Sequence, residues 1–258
     1  MMMLYLFQFT FIPMLLYTMN YSIITILLVI LIIIRLLYHK QISVIILNYK
    51  RPHNLTTSLP HLVKHPLISE ILIFHGEPNH LTFQQHSKVK HYKDYTNNTS
   101  FGGARRFFHT NKCKNDIVLF LDDDTLPSNH LVNNLYKTTI LNYYKNTFYG
   151  SIKRNCTNSG YDGNSRTYNS ILTPILMVKK SVVESYMKDP KGFPKYKKWL
   201  NHHKGNGEDL SLNKFIKDKY NQTPVYVEGK YKELDITNGY HNNSNHSSVR
   251  ARFCKLYS

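Results

Sequence analysis

The chain has 258 residues, 42% of them hydrophobic, which is enough for one sizeable core plus an appendage. Lysine and arginine outnumber aspartate and glutamate by 33 to 16, and the formal charge of +17 suits an anionic partner: nucleic acid, a phosphorylated small molecule, an acidic glycan or a membrane surface. The crowding of Lys, Asn, Ile and Tyr is also what an AT-rich coding sequence produces, and Cys113, Cys156 and Cys254, with no CxxC spacing, signal neither a zinc site nor a disulfide framework, although one pair could close in an oxidising lumen.

The first forty residues differ from the rest. Met1 to Tyr17 is mostly apolar and broken by Pro13, and YSIITILLVILIIIRLLYHK, from Tyr21 to Lys40, is almost purely aliphatic from Ile23 until Arg35. A helix of about 20 apolar residues spans a bilayer. Met19 in front and Leu36-Leu37-Tyr38 beyond a snorkelling Arg35 complete that length. A helix apolar on every face, placed before a polar domain, predicts a single-pass membrane anchor within residues 1–40, with the Met1–Tyr17 stretch as a second hydrophobic segment of open status. No small-residue cleavage site follows, which argues against a removed signal peptide. Arg35, Lys40, Lys50 and Arg51 lie at or after the segment and no basic residue precedes it, which by the positive-inside rule faces the domain to the cytoplasm. Asn-x-Ser/Thr sequons, Asn155 and Asn221 among them, leave a Golgi- or ER-type lumenal placement open.

From Gln41 the chain alternates strands and helices. Ile42–Asn48, Glu70–His75 and Asp116–Leu121 are continuous apolar runs of the kind buried on both faces of a sheet. A helix follows Pro127, with Ser128 able to cap it and Leu131, Val132, Leu135 and Ile140 as its apolar stripe. Phe148–Lys153 and Ile171–Val178 are further strands, Lys180–Asp189 a short helix, Gly207–Tyr220 another, and Thr223–Gly229 a late strand, while 201–207 and 238–248 are polar loops. This order predicts an α/β fold with a mostly parallel central sheet, whose ligands sit at the carboxyl ends of the strands.

Three of those strand ends are polar: Asn48-Tyr49-Lys50-Arg51, His75-Gly76-Glu77, and the run Asp122-Asp123-Asp124 inside FLDDDTLPSN. Adjacent carboxylates repel unless a cation lies between them. Hard divalent ions take oxygen ligands and share such sites with phosphates, and Arg105 and Arg106 just upstream suit a diphosphate. The local chemistry therefore points to a metal-bridged nucleotide diphosphate. A haloacid-dehalogenase-type phosphatase would also place Asp-x-Asp after an apolar strand, but with a threonine two places on; here Thr125 follows Asp124 directly, some eighty residues into the domain.

Together these segments resemble the family-2-type glycosyltransferases of GT-A fold. SVIILNYKRPHNL (Ser43–Leu55) is similar to the opening strand, NNTSFGGARRFFHTNKCKNDIVLFLDDDTLP (Asn97–Pro127) to the helix leading into the Asp-x-Asp strand, ILTPILMVKKSVV (Ile171–Val183) to the acceptor-side strand, and GNGEDLSLNKFI (Gly205–Ile216) to the Glu-Asp helix start. HSSVRARFCKLYS (His246–Ser258) has a weaker resemblance to the ending of exostosin-type hexosaminyltransferase domains. The resemblance implies a GT-A (Rossmann-like) catalytic domain over 41–258, with residues 41–126 as the nucleotide-sugar half and 127–258 as the acceptor half.

The same resemblance implies roles for individual residues. Asn48 and Arg51 would contact uracil or ribose, Glu77 the base, Arg105 the phosphate, and Asp122 and Asp123 the ribose. Asp122 and Asp124, with His246, would hold Mn²⁺ or Mg²⁺. Asp209, beside Glu208, would be the general base for the acceptor hydroxyl. The expected reaction moves a hexose or N-acetylhexosamine from a UDP-sugar to a glycan, protein or lipid acceptor, with inversion if Asp209 is the base and retention if the exostosin-like ending is meaningful. The alternative is a catalytically inactive relative that binds sugar or nucleotide. Nucleic acid is not an expected partner, because no Lys/Arg–aromatic stripe or known motif is present.

Overall fold

The computed structural model describes residues 21–30, 40–78, 85–163, 167–237 and 245–257. The chain divides into two compact units, Met1–Lys40 and Gln41–Ser258. In the first, residues 21–30 are helical, and their aliphatic side chains, such as Ile26 and Leu27, are exposed. Among the described residues no helix is long and apolar enough to cross a membrane. Residues 31–39 of the predicted anchor, and the Met1–Tyr17 stretch, lie outside the described residues.

The second unit contains strands β1 (Ile42–Asn48), β2 (Ile68–His75), β3 (Val89–Lys93), β4 (Ile117–Asp122), β5 (Thr125–Pro127), β6 (Phe148–Gly150), β7 (Lys153–Thr157), β8 (Gly160–Asp162), β9 (Ser170–Ile171), β10 (Ile175–Lys179), β11 (Val225–Tyr226) and β12 (Tyr231–Glu233). Its helices are α1 (Pro52–Lys64), α2 (Tyr95–Phe101), α3 (Arg105–Phe108), α4 (Asn129–Leu141), α5 (Lys180–Lys188), α6 (Phe193–His202), α7 (Glu208–Tyr220) and α8 (His246–Tyr257). The central sheet has seven strands in the order β11-β6-β10-β4-β1-β2-β3. β1, β2, β3 and β4 pair in parallel, as do β6 and β11, while β10 runs antiparallel to both neighbours. The sheet is thus mixed α/β and mostly parallel, and it crosses the expected boundary at residue 126, because β6, β10 and β11 belong to it too.

Both faces of this sheet are covered, which explains the continuous apolar strands. On one face Val44, Ile46 and Ile71 pack with Leu55 and Leu59 of α1 and Leu131 and Leu135 of α4. On the other, Ile45, Phe74 and Phe120 pack with Phe107, Tyr186, Tyr196, Phe215 and Phe253. Ser128 caps α4 by accepting the Leu131 amide at 3.2 Å. At the amino end of the sheet one polar knot fixes register. Ser43 Oγ donates to Glu70 Oε2 at 2.8 Å, and the same oxygen accepts the Lys114 amide at 2.9 Å. Burial opposes the Glu70 charge, yet these donors hold its carboxyl below the usual range.

Several boundaries differ from expectation. The run Ile171–Val178 is broken: β9 ends at Ile171 and β10 begins only after Pro174, whose missing N–H suits a turn rather than a central strand. Of Phe148–Lys153 only Phe148–Gly150 lies in the main sheet; Lys153 opens β7, which joins β8 and β9 in a separate three-stranded sheet. α6 extends into the predicted loop at 201–207, and α8 starts at His246, inside the stretch read as polar loop. Cys156 on β7 and Cys254 on α8 form a disulfide across 98 residues of chain, while Cys113 is a buried free thiol.

A cross-link over so long a loop stabilises a fold by about 2–4 kcal/mol. Adding a thiol reductant is therefore expected to lower the denaturation midpoint of the unaltered chain and to leave that of a Cys156→Ser/Cys254→Ser variant unmoved, measured by chemical denaturation followed by circular dichroism.

Candidate active site

The carboxyl ends of β1, β2 and β4 open into a cavity of about 400 Å³, lined by Tyr49, Glu77, Tyr95, Arg105 and Asp123 among others. A larger cavity of about 650 Å³ lies beside it, walled by Arg154 of β7, Tyr161 of β8, Thr173, the start of α7 and the start of α8. Arg51, Gly103, Arg106, Asp122 and Lys204 line both, so the two spaces meet along a shared wall.

The three aspartates stand on that wall, and each is answered by an arginine. Arg51 reaches across from the end of β1 and forks, its Nη2 2.5 Å from Asp123 Oδ1 and its Nη1 2.6 Å from Asp124 Oδ2. The Tyr49 amide donates to the other oxygen of Asp123 at 2.9 Å. Burial, with help from the two neighbouring acids, nevertheless pushes the Asp123 carboxyl up to about 7. Arg106 donates from Nη2 to Asp122 Oδ1 at 2.6 Å, and its remaining donors meet the Gly103 and Thr173 carbonyls. Asp122 is the most open of the three, with 29% of its side chain exposed, against 2% and 12% for Asp123 and Asp124.

Across the larger cavity sits the amino end of α7. Gly207 precedes it with φ +97°, a backbone that glycine adopts freely, and Glu208 and Asp209 fill the first turn. Both acids are buried. Glu208 Oε1 accepts the Thr173 hydroxyl at 2.9 Å and lies against Gly103, where an added Cβ would crowd it at 3.1 Å. Asp209 Oδ1 accepts from Arg250 Nη2 at 2.5 Å and from the Leu210 amide at 2.7 Å. The Arg250 guanidinium lies 4.8 Å from the centre of the Tyr161 ring. Burial, followed by the neighbouring Asp209 charge, raises the Glu208 carboxyl to about 7. Burial disfavours the Arg250 charge as well, but Asp209 outweighs it and drives that guanidinium further up.

The residues expected from the sequence are distributed unevenly over this architecture. Arg51, Asp122, Asp124, Glu208, Asp209 and His246 all line the larger cavity. Glu77 borders the smaller one as a half-exposed acid 4.0 Å from Lys50. Asn48 lines neither. It is buried beneath them, its side-chain amide 2.9 Å from His75 Nδ1, and its carbonyl accepts from Arg105. Arg105 is no solvated charge: it is buried, with its guanidinium 3.3 Å from Asp94. Arg106, the less favoured of the two from sequence, is the one that holds Asp122. Thr173, Tyr161, Arg154 and Lys204 carried no sequence signal, and Arg250 carried one only through its place in the exostosin-like ending His246–Ser258.

Asp122, Asp124 and His246 supply oxygen and imidazole donors to one cavity, a set that suits Mn²⁺ or Mg²⁺ chemically. Among the described residues no three His, Cys, Asp or Glu side chains are gathered closely enough to form a ligand cluster, and guanidinium groups neutralise the two aspartates instead.

Comparisons with known proteins bear on this geometry. A search of curated proteins finds no match. Among solved structures, the crystal structure of GalNAc-T7 with UDP, GalNAc and Mn²⁺ aligns with a TM-score of 0.56 at 10% sequence identity, over 76% of this chain and 44% of that one. The chain therefore spans less than half of that neighbour's length, and at this identity the likeness establishes the fold, which is that of GT-A glycosyltransferases. The model of the glycosyl transferase family 64 domain matches residues 42–257, from the first strand to the end of α8. The match takes in both cavities and every strand of the central sheet: the chain belongs to glycosyltransferase family 64.

Proposed function

We propose that the chain transfers a hexose or N-acetylhexosamine from a UDP-sugar to a glycan, protein or lipid acceptor. The observation that carries this reading is the shared wall. A nucleoside-sized space at the carboxyl ends of parallel strands adjoins a larger space that presents two buried acids, with three aspartates between them. The uridine half fits the smaller cavity near Tyr49 and Glu77, and the transferred sugar and the acceptor fit the larger one. That GalNAc-T7 was crystallised with UDP, GalNAc and Mn²⁺ supports the choice of donor and cation. Asp122, Asp124 and His246 would hold the Mn²⁺ or Mg²⁺ ion, which when bound supplies positive charge for the departing diphosphate.

The acids divide the remaining work. Arg250 and the Leu210 amide fix Asp209 through Oδ1. Oδ2 of Asp209 is then the atom that takes the acceptor proton. Glu208 keeps its own proton to near neutrality, and Thr173 holds it in place. The two adjacent carboxyls thus have different partners, a guanidinium and an amide for Asp209 and a hydroxyl for Glu208.

Membrane attachment through the N-terminal segment is part of the same proposal. It is supported by the aliphatic composition of residues 23–34 and by the exposed apolar side chains of the helical residues 21–30. The Cys156–Cys254 bond favours an oxidising, lumenal side over the cytoplasm suggested by the flanking basic residues.

Incubating the chain with a panel of UDP-sugars and Mn²⁺ is expected to release UDP from at least one donor; no turnover with any donor, together with no UDP binding, would reject the assignment. Asp122→Asn is expected to weaken UDP binding in Mn²⁺ by roughly tenfold or more while changing binding in EDTA little, as read by isothermal titration. The acids also predict a pH dependence. Folding raises the Glu208 carboxyl from the ordinary glutamate range to about 7. In that window the folded chain binds more protons than the unfolded chain, so stability falls as pH rises through it. Glu208→Gln is expected to make this slope shallower without abolishing it, because the Asp123 carboxyl, also raised to about 7, contributes in the same direction. Denaturation midpoints measured between pH 4 and 8 check this.

A further inference from the structure

The two cavities share three basic residues, Arg51, Arg106 and Lys204, and these are not equivalent. Arg51 is committed to Asp123 and Asp124, and Arg106 to Asp122. Of the other basic residues around the site, Arg105 is 3.3 Å from Asp94 and Arg250 is bound to Asp209. Arg154 lines only the larger space. Lys204 is exposed, and its ammonium group has no ion pair or hydrogen bond among the described residues.

The backbone holds Lys204 at this junction at some cost. Its φ is +50°, in the left-handed region that a side chain with a Cβ disfavours. The surrounding packing imposes that conformation. The Lys204 carbonyl presses on Gly102, and Gly205 presses on the Phe101 carbonyl; a Cβ at either glycine would collide with those oxygens. Gly102 and Gly205 themselves have φ of +42° and +82°. Two loops, one leading to Arg105 and Arg106 and one leading to Glu208 and Asp209, are thus pressed backbone to backbone, and Lys204 sits at their contact.

We infer that Lys204 binds the diphosphate of the donor and stabilises it as the leaving group, an assignment that rests on the UDP-sugar reading above. In that reading the nucleoside occupies one cavity and the transferred sugar the other, so the diphosphate must cross the wall that the two share. Lys204 is the one cation on that wall, among the described residues, whose charge is not already matched by a carboxylate. Lysine suits the task because its ammonium is a compact point charge on a flexible stem, whereas the two arginines are held in bidentate or multiply bonded geometry. As the bond from the sugar carbon to the diphosphate oxygen breaks, the electron pair stays with that oxygen, and Lys204 meets the charge there.

The test is calorimetric titration of UDP, in Mn²⁺, into the full chain and into Lys204→Gln and Lys204→Arg. Glutamine keeps the Cβ and much of the stem, so the backbone requirement at this position is unchanged, and melting curves of all three proteins check folding. The expected result is that Lys204→Gln weakens UDP binding by roughly tenfold or more and makes its salt dependence shallower, while Lys204→Arg stays near the unaltered chain. Unchanged affinity in Lys204→Gln overturns the role of Lys204 and leaves the UDP-sugar reading standing. Equal weakening in both variants also overturns it, because the loop rather than the charge would then matter. Failure of the unaltered chain to bind UDP overturns both readings.

Discussion

The arrangement of the site depends on how three consecutive carboxylates are neutralised at the end of a buried strand. An ion pair as enclosed as Arg51 with Asp123 is not a source of large net stability, because desolvation consumes most of the Coulomb gain. Its importance lies in what its loss would do: removing one partner leaves a buried charge alone, at a cost of about 3–5 kcal/mol. Arg51 and Arg106 therefore lock the turn after β4 in one geometry. Arg51 ties it to the end of β1, and Arg106 ties it to the Gly103 and Thr173 carbonyls. The wall between the two cavities is built from these ties.

A second ion pair faces the first across the larger cavity. Arg250 is carried by α8, and α8 is anchored by the Cys156–Cys254 bond to the small sheet that also bears Arg154 and Tyr161. Asn206 adds a further tie, donating to the His246 carbonyl at 3.0 Å. The last helix of the chain thus positions the first turn of α7, although neither belongs to the central sheet. The sheet fixes the smaller cavity through β1, β2 and β4, while the far wall of the larger one is fixed by a disulfide, a guanidinium and a handful of backbone contacts between glycine-bearing loops.

What could be read from the sequence follows this division. The three long parallel strands were legible because burial on both faces demands uninterrupted apolar runs, and the aspartates were legible as a group that needs a cation. The source of that cation was not, since Arg51 lies 73 residues from Asp124 along the chain and only the fold brings them together. The choice between Arg105 and Arg106 was equally hidden: adjacent residues on one helical turn point about 100° apart, so one meets Asp94 and the other Asp122. Asn48 looked like a ligand because it ends a strand, but it lies beneath the cavity floor, bound to His75. Helix α8 was missed because its first turn is Ser-, His- and Val-bearing and its buried side includes Arg250 beside Phe253 and Cys254, a face whose burial is justified by Asp209 rather than by hydrophobicity.

The excess of positive charge in the composition does not carry over to the larger cavity. Five cations line it, Arg51, Arg106, Arg154, Lys204 and Arg250, and so do five acids, Asp122, Asp124, Glu208, Asp209 and Glu233. With Glu208 holding its proton toward neutral pH, the balance tips only slightly positive. Such a space does not attract a diphosphate as a basic funnel would; most of its charges are spent on one another, and that mutual pairing is what gives them fixed positions. In the proposed reaction the charge of the departing diphosphate would be met by the small remainder, an exposed lysine on the shared wall together with a cation held by Asp122, Asp124 and His246. A site of this kind trades long-range attraction for preorganised dipoles and charges, and preorganisation is what stabilises charge developing in a transition state.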